Sequence, residues 1–140
     1  MKLSVMKKVV EEYVSYRVAE LLKRAGYPQD RTCNSNVNII PYYKEGDFNL
    51  YFNDIGTIFE RPEFISAPTQ QSAMRWLREV HNLHIYVFYS TSTNSNWCFE
   101  IIDLSNLNTI ITYSKHCGYT CEQCIDEALY YILSHDLKLS

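Results

Sequence analysis

The side chains best suited to chemistry lie near the carboxyl end of the chain, in the segment HCGYTCEQC. Imidazole and thiolate groups are the ligands that tetrahedral zinc prefers. The segment has four of them: His116, Cys117, Cys121 and Cys124. However, a second CxxC pair is absent, and Cys121 and Cys124 fall on the inward face of a predicted helix, where cysteine packs as a small apolar side chain. We expect core packing and assign no metal ligand, with a metal site as the alternative.

His81 and His84 form an HxxH spacing that could also bind a metal. The first histidine ends a predicted helix and the second starts a predicted strand, so the helical i, i+4 geometry of an HExxH zinc protease is missing. We expect a helix-terminal His81, stabilised by the helix dipole, and a half-exposed His84.

Catalytic signatures are missing from the sequence. It contains no GxSxG, SxxK or cysteine-protease motif, and Cys98, between Trp97 and Phe99, is most simply a packed side chain. Four glycines are too few for a P-loop or a dinucleotide fingerprint. The sequence therefore predicts no catalytic residue and no cofactor, and we expect a protein that is not an enzyme.

Arg75 and Arg78 flank Trp76, a combination found where proteins stack bases and hold phosphates. The formal charge of −3, however, gives no broad positive field of the kind that duplex binding requires. We expect Trp76 in the core, the arginines in solvent and nucleic acid as an unlikely partner.

These residues are positioned by a series of predicted helices and strands. A helical stripe runs from about Ser4 to Ala25, and Gly26 and Pro28 end it. Residues 27–66 predict one or two irregular strands, in which Pro41 favours an edge strand or an extended loop. The apolar residues of the first stripe are Val10, Val14, Val18, Leu21 and Ala25.

The second half of the chain has clearer signals. Thr69 predicts the start of a helix over Gln70–His81, and Asn82 predicts its left-handed end. Three strand-like runs follow, LHIYVFYST, WCFEIIDL and TIITYS, and Thr120 with Gln123 forms a capping box for a last helix to about Ser134. The expected buried stripe of the middle helix is Ala73, Trp76, Leu77 and Val80.

The fold class predicted from this order is α+β, as a single domain over residues 1–140. The order is α, irregular β, α, β, β, β, α, with a small antiparallel meander packed against helices. Apolar residues at 46% and charged residues at 21% are typical of a globular chain.

The location of the protein is predicted from its first residues, its apolar stretches and its cysteines. The start MKLSVMKKVVEEYV lacks the apolar core of a secretory signal, and no stretch reaches the length of a membrane span. Five cysteines, an odd number, indicate reduced thiols rather than a disulfide framework. We expect a cytoplasmic protein without membrane contact.

The stretch SAPTQQSAMRWLREVHNLHIYV, followed by a hairpin and a capped helix, resembles small uncharacterised proteins of gut Bacteroides-type bacteria, their phages and mobile elements. The resemblance covers roughly the second half of the chain. It implies a genomic setting and carries over no catalytic residue.

The first strand of the meander is apolar or aromatic on both faces, since Ile85 and Val87 alternate with Tyr86 and Phe88. One face must pack on helices, and residues 27–66 or a second copy must cover the other, with internal cover favoured. We therefore expect an accessory protein of a phage or mobile element that binds a protein partner, or itself, through an aromatic sheet face. The alternatives are a nucleic-acid-contacting module and, less favoured, a Cys/His metal site.

Overall fold

The computed structural model describes residues 12–29, 40–53, 61–91, 96–106, 108–113 and 120–135. Within these ranges the fold is α+β, and the predicted order of elements is confirmed, except that residues 27–66 contain three strands where one or two were expected. The elements are α1 (Tyr16–Arg24), β1 (Ile40–Lys44), β2 (Asp47–Asn53), β3 (Phe64–Ser66), α2 (Gln70–His81), β4 (Leu83–Ser90), β5 (Asn96–Asp103), β6 (Asn108–Tyr113) and α3 (Cys121–Ser134). Among the described residues, no helix combines the length and the apolar character needed to cross a bilayer.

The predicted ends of α2 and α3 are confirmed. The Thr69 side chain accepts a hydrogen bond from the Ser72 amide, and Asn82 ends α2 in the left-handed region at φ 56°. Thr120 and Gln123 form both halves of the capping box of α3. Each cap gives a partner to a backbone group that the helix itself leaves without one.

The first helix begins much later than the sequence pattern predicts. Ser15 is its N-cap and accepts a hydrogen bond from the Val18 amide, so the described helix starts at Tyr16. Val14, expected on the helical stripe, is fully buried but not helical. The predicted end is correct, because Gly26 follows α1 at φ 98°. The part of the expected helix before residue 12, including Val10, lies outside the described residues.

Residues 12–14 are extended because they pair with the chain just before α2. The Val14 amide donates to the Pro68 carbonyl at 3.0 Å, and the Gln70 amide donates to the Glu12 carbonyl at 2.8 Å. Three residues are too few to show the period of a helix or of a strand, and here the long-range backbone pairing decides between them.

The first sheet has the strand order β2-β1-β3, which corrects the expectation for Pro41. Pro41 lies in the central strand, not in an edge strand or loop. Its carbonyl accepts from Ala67, so its nitrogen also points toward the β3 side, and the ladder there ends at Ser66. The missing N–H therefore falls just beyond the paired region, where proline interrupts little.

This first sheet packs on α1 through β2 and β3. The buried Tyr43 hydroxyl donates to the Val14 carbonyl at 2.7 Å, and its ring meets Tyr16 edge to face with ring centroids 5.5 Å apart. The tyrosine thus joins the sheet to the segment that leads into α1.

The second sheet is the predicted meander, with the order β4-β5-β6 and antiparallel pairing throughout. Its inner face packs on α3 and α2, as expected. Ile85, Phe99 and Ile101 are buried on this face, and the Phe99 ring lies 6.1 Å from the Tyr131 ring of α3. The helix α3 contacts α1, α2 and the meander, so it lies at the centre of the core.

The buried stripe of α2 differs from the predicted one. Val80 is 53% exposed and Trp76 is only partly buried. The buried residues are instead Gln70, Ala73, Met74 and Leu77. Steps of 3.6 residues from Gln70 carry the centre of the stripe close to His81, so Val80 turns toward solvent. Trp76 packs at the margin, with its ring centroid 5.3 Å from that of Tyr27 and 4.7 Å from that of His81.

We expect Trp76→Ala to lower the free energy of unfolding by about 2 kcal/mol, roughly half the cost of removing a fully buried aromatic side chain. Val80→Ala, on the same helix, is the matched control and should change it by less than about 0.5 kcal/mol. Urea denaturation followed by circular dichroism measures both. Equal effects of the two substitutions would contradict the packing described for α2.

Gln70 gives a second test of the core. Its side-chain amide donates to the Glu122 carbonyl at 2.9 Å, while its Oε1 is buried without a hydrogen-bond partner among the described residues. Gln70→Ala should cost about 2–3 kcal/mol through the lost bond and the cavity. Gln70→Met keeps the volume and removes the unpaired oxygen but still loses the bond to Glu122, so its cost should be about 1 kcal/mol. Thermal unfolding of the two variants compares them, and a Met variant as unstable as the Ala variant would refute this.

Candidate interaction surface

The outer face of the meander is the side turned away from α3. Residues directly opposite each other in an antiparallel pair point to the same face. Tyr86 therefore shares this face with Glu100, and Phe88 shares it with Cys98. His84 and Ile102 form the next such pair.

This face is exposed at Tyr86 and buried at Cys98. Tyr86 is 48% exposed, and its ring is stacked on that of Phe88 at 5.4 Å. Cys98, beside Phe88, is fully buried, which agrees with the packed side chain that the sequence predicts. The described part of residues 27–66 packs on α1, and Tyr86 stays half exposed, so the expected internal cover is not complete at this tyrosine.

The edge of β4 presents backbone groups as well as aromatic rings. The Leu104 amide donates to the Asn82 carbonyl, and these two residues face each other in the continued β4–β5 register. Because hydrogen-bonded pairs alternate along an antiparallel ladder, the even-numbered residues of β4 bond to β5. The odd-numbered residues turn their N–H and C=O groups to the free edge, without a partner among the described residues: Leu83, Ile85, Val87 and Tyr89.

The composition of β4 leaves this edge without the usual protection against pairing. Edge strands are commonly blocked by lysine, proline or inward-pointing charges. The strand LHIYVFYS has eight residues and contains no proline, lysine, arginine, aspartate or glutamate. Tyr89 is 51% exposed near its end and meets the Trp97 ring edge to face at 5.4 Å. The edge is accessible at Val87 and Tyr89, whereas Leu83 and Ile85 are only 6% and 3% exposed.

The two histidines lie beside this edge, at the turn from α2 into β4. Both ring nitrogens of His81 and the Nδ1 of His84 are buried without a hydrogen-bond partner among the described residues. Burial lowers the pKa of both imidazoles, and the positive charge of Arg78 lowers the pKa of His84 further. Both side chains thus favour the neutral form, and His81 interacts with Trp76 through its ring.

The cysteines of the candidate metal site have separate environments. Cys124 is fully buried in the core, beside Ile125 and Ala128, as the sequence predicts. Cys121 is half buried at the start of α3, and burial together with Glu122 raises the pKa of its thiol. The described residues contain no group of three metal-binding side chains. His116 and Cys117 lie outside the described residues.

The candidate nucleic-acid residues are engaged with neighbours on the surface of α2. The Arg75 guanidinium donates to the Glu79 carboxylate at 2.8 Å. Trp76 lies between Tyr27 and His81 rather than on an open surface. This arrangement gives no stacking platform for a base.

Sequence reasoning missed a second set of exposed aromatic residues on β2. Phe48 is 75% exposed and Phe52 is 54% exposed, and their rings meet Tyr16 and Tyr13 edge to face. The alternation in DFNLYFN was a signal for them, since Phe48, Leu50 and Phe52 share one face of a strand.

Comparison of the chain with protein-family models, with curated proteins and with solved structures finds no match. The resemblance to proteins of gut bacteria and their phages stays a prediction.

The lowered histidine pKa values predict a dependence of stability on pH. Their folded-state values lie below the unfolded value of about 6.5, so the unfolded chain binds protons more readily. The contribution of the two neutral imidazoles to stability is complete above about pH 6.5, and it is lost as the pH falls through their folded-state pKa values. We expect the free energy of unfolding, measured by urea denaturation, to fall between about pH 7 and pH 5.

The variant His81→Phe/His84→Gln is the control for this pH dependence. It removes both imidazoles, and its stability should change less steeply over the same range. A slope equal to that of the original chain would assign the pH dependence to other groups.

Proposed function

We propose that this chain is a protein-interaction protein that binds an extended segment of a partner along the free edge of β4. One observation carries the proposal: Val87 and Tyr89 keep exposed surface and direct outward backbone groups that have no partner in the described part of the chain, from a strand without charge or proline. A strand added there receives main-chain hydrogen bonds, each contributing about 0.5–1.5 kcal/mol net.

The side chains beside this edge indicate the chemistry of the partner. Tyr86 on the outer face and Tyr89 on the inner face are each about half exposed, so they can pack against side chains on both faces of an added strand. The partner segment that fits is extended, uncharged and rich in β-branched or aromatic residues. A charged segment would lose hydration beside these rings without gaining an ion pair.

A role as an accessory protein of a phage or mobile element is part of the proposal and rests on the sequence resemblance alone. The nucleic-acid alternative has weaker support, because the guanidinium group of Arg75 is already paired with Glu79.

A selection of extended peptides from a random library tests the proposed binding. We expect the selected peptides to be uncharged and β-branched or aromatic, and to bind with micromolar affinity in isothermal titration calorimetry. Tyr86→Lys, which places a charge beside the edge, should weaken that binding by about tenfold or more.

The control is Phe48→Lys, which changes an equally aromatic and more exposed position on the other sheet. It should leave peptide binding unchanged. Peptides whose affinity depends on Phe48 and not on Tyr86 would refute the proposed site.

A further inference from the structure

We infer that protonation of His81 opens the contact between Trp76 and Tyr27 and thereby releases the free edge of β3, so that the end of α2 acts as a pH-sensitive switch. This switch is independent of the proposed function, because it does not involve the β4 edge. A continuous series of contacts joins its two ends, from His81 on α2 to Ser66 on β3.

The imidazole of His81 lies in an environment that favours its neutral form. Both ring nitrogens are buried without a hydrogen-bond partner among the described residues, and the ring meets Trp76 edge to face at 4.7 Å. An imidazolium would carry two N–H donors and a charge into this position and gain no hydrogen bond there. The negative end of the α2 dipole favours the charge, but burial is the larger influence, because it lowers the pKa of His81. The proton therefore binds more tightly when the ring has left this position.

The charged and titratable groups on the elements around His81 do not offer a free carboxylate. These groups are Arg78 and Glu79 on α2, Tyr27 after α1, His84 on β4 and Asp103 on β5. The Glu79 carboxylate accepts from the Arg75 guanidinium, and the Asp103 carboxylate accepts from the Ser105 amide and hydroxyl. Within the described part of the chain, a proton on His81 thus has no ion-pair partner that would keep the ring in place.

The indole ring of Trp76 lies between His81 and Tyr27. Its centroid is 4.7 Å from that of the imidazole and 5.3 Å from that of the Tyr27 ring. Trp76 is only partly buried, at the margin of the core, so departure of the imidazole leaves one side of the indole open to water. The remaining edge-to-face pair with Tyr27 is a weak contact, and it separates more readily once water reaches the indole.

Tyr27 is joined to the edge of β3 through Gln29. The side-chain amide of Gln29 donates to the Tyr27 carbonyl at 3.0 Å, and its Oε1 accepts from the Ser66 amide at 2.9 Å. One side chain therefore connects the segment after α1 to the strand. When Tyr27 moves away from Trp76, Gln29 moves with it, and the Ser66 amide loses its acceptor.

The Ser66 amide points to the free edge of β3. The next amide, of Ala67, donates to β1, and neighbouring residues of an antiparallel strand direct their backbone groups to opposite sides. In the closed state this edge is capped, since Gln29 holds the Ser66 amide and the Lys23 ammonium donates to the Phe64 carbonyl at 3.0 Å. Capped edges resist pairing with another chain. Protonation of the imidazole removes one of the two caps.

Amide hydrogen exchange of the full chain between about pH 7.5 and about pH 5 tests the inference. The protection factor of the Ser66 amide reports the open population, because it is corrected for the intrinsic pH dependence of exchange. Below the ordinary histidine pKa of about 6.5, this protection factor should fall by up to about tenfold for each pH unit until the folded-state pKa of His81 is passed. The Ala67 amide, which bonds to β1, is the internal control and should keep its protection.

Two variants assign the effect to one imidazole. His81→Phe keeps a ring against Trp76 without the two nitrogens, so its Ser66 protection factor should not depend on pH. His84→Gln should keep the pH dependence of the original chain. Acrylamide quenching of Trp76 fluorescence, measured in a Trp97→Phe background, should increase over the same pH range.

Three results of the exchange experiment would overturn the inference. The first is a Ser66 protection factor that does not change with pH, and the second is one that falls equally in His81→Phe. The third is a parallel loss of protection at Ser66 and Ala67, because it would mean that the whole sheet opens. The peptide-binding experiments at the β4 edge are separate, so the proposed function can fail while this switch stands.

Discussion

The hydrogen bonds of Gln70 fix the relative positions of three distant parts of the chain. Its backbone amide holds the extended segment before α1 through Glu12, and its side-chain amide holds the first turn of α3 through Glu122. The first sheet packs on α1, and the meander packs on α2 and α3. Both sheets therefore take their positions from helices whose starting points lie close to this glutamine, a polar side chain that is only 3% exposed.

The free edge of β4 is a consequence of the same anchoring. With α2 fixed at its start, the left-handed Asn82 reverses the chain within a single residue and directs it into β4. The bond from Leu104 to Asn82 then sets which residues of β4 face β5 and which face outward. The direction of the backbone groups on the proposed interaction surface thus follows from one turn and one backbone hydrogen bond, and the aromatic side chains would add contact area.

Local signals were sufficient wherever a helix end or a strand depends on neighbouring residues. Thr69, Asn82 and the Thr120–Gln123 box each act within one turn, so the sequence located α2 and α3 correctly. Long-range pairing decided the errors at the start of α1 and at Pro41. Residues 12–14 are extended because they pair with residues 68–70. The central strand tolerates Pro41 because the ladder between β1 and β3 ends beside it. The aromatic alternation of the candidate surface could be predicted from the sequence. The direction of the backbone N–H and C=O groups along β4 could not, because it depends on the Leu104–Asn82 bond.

The central position of α3 has a consequence for the order of events during synthesis. The strands β4, β5 and β6 follow one another and pair as neighbours, so the loops that must close are short and the meander can form early. Of the two helices that pack on its inner face, α2 precedes the three strands and α3 follows them. While the ribosome extends the chain beyond β6, the part of the apolar inner face that α3 covers stays exposed, and the nascent chain is most prone to aggregate in the interval before α3 emerges.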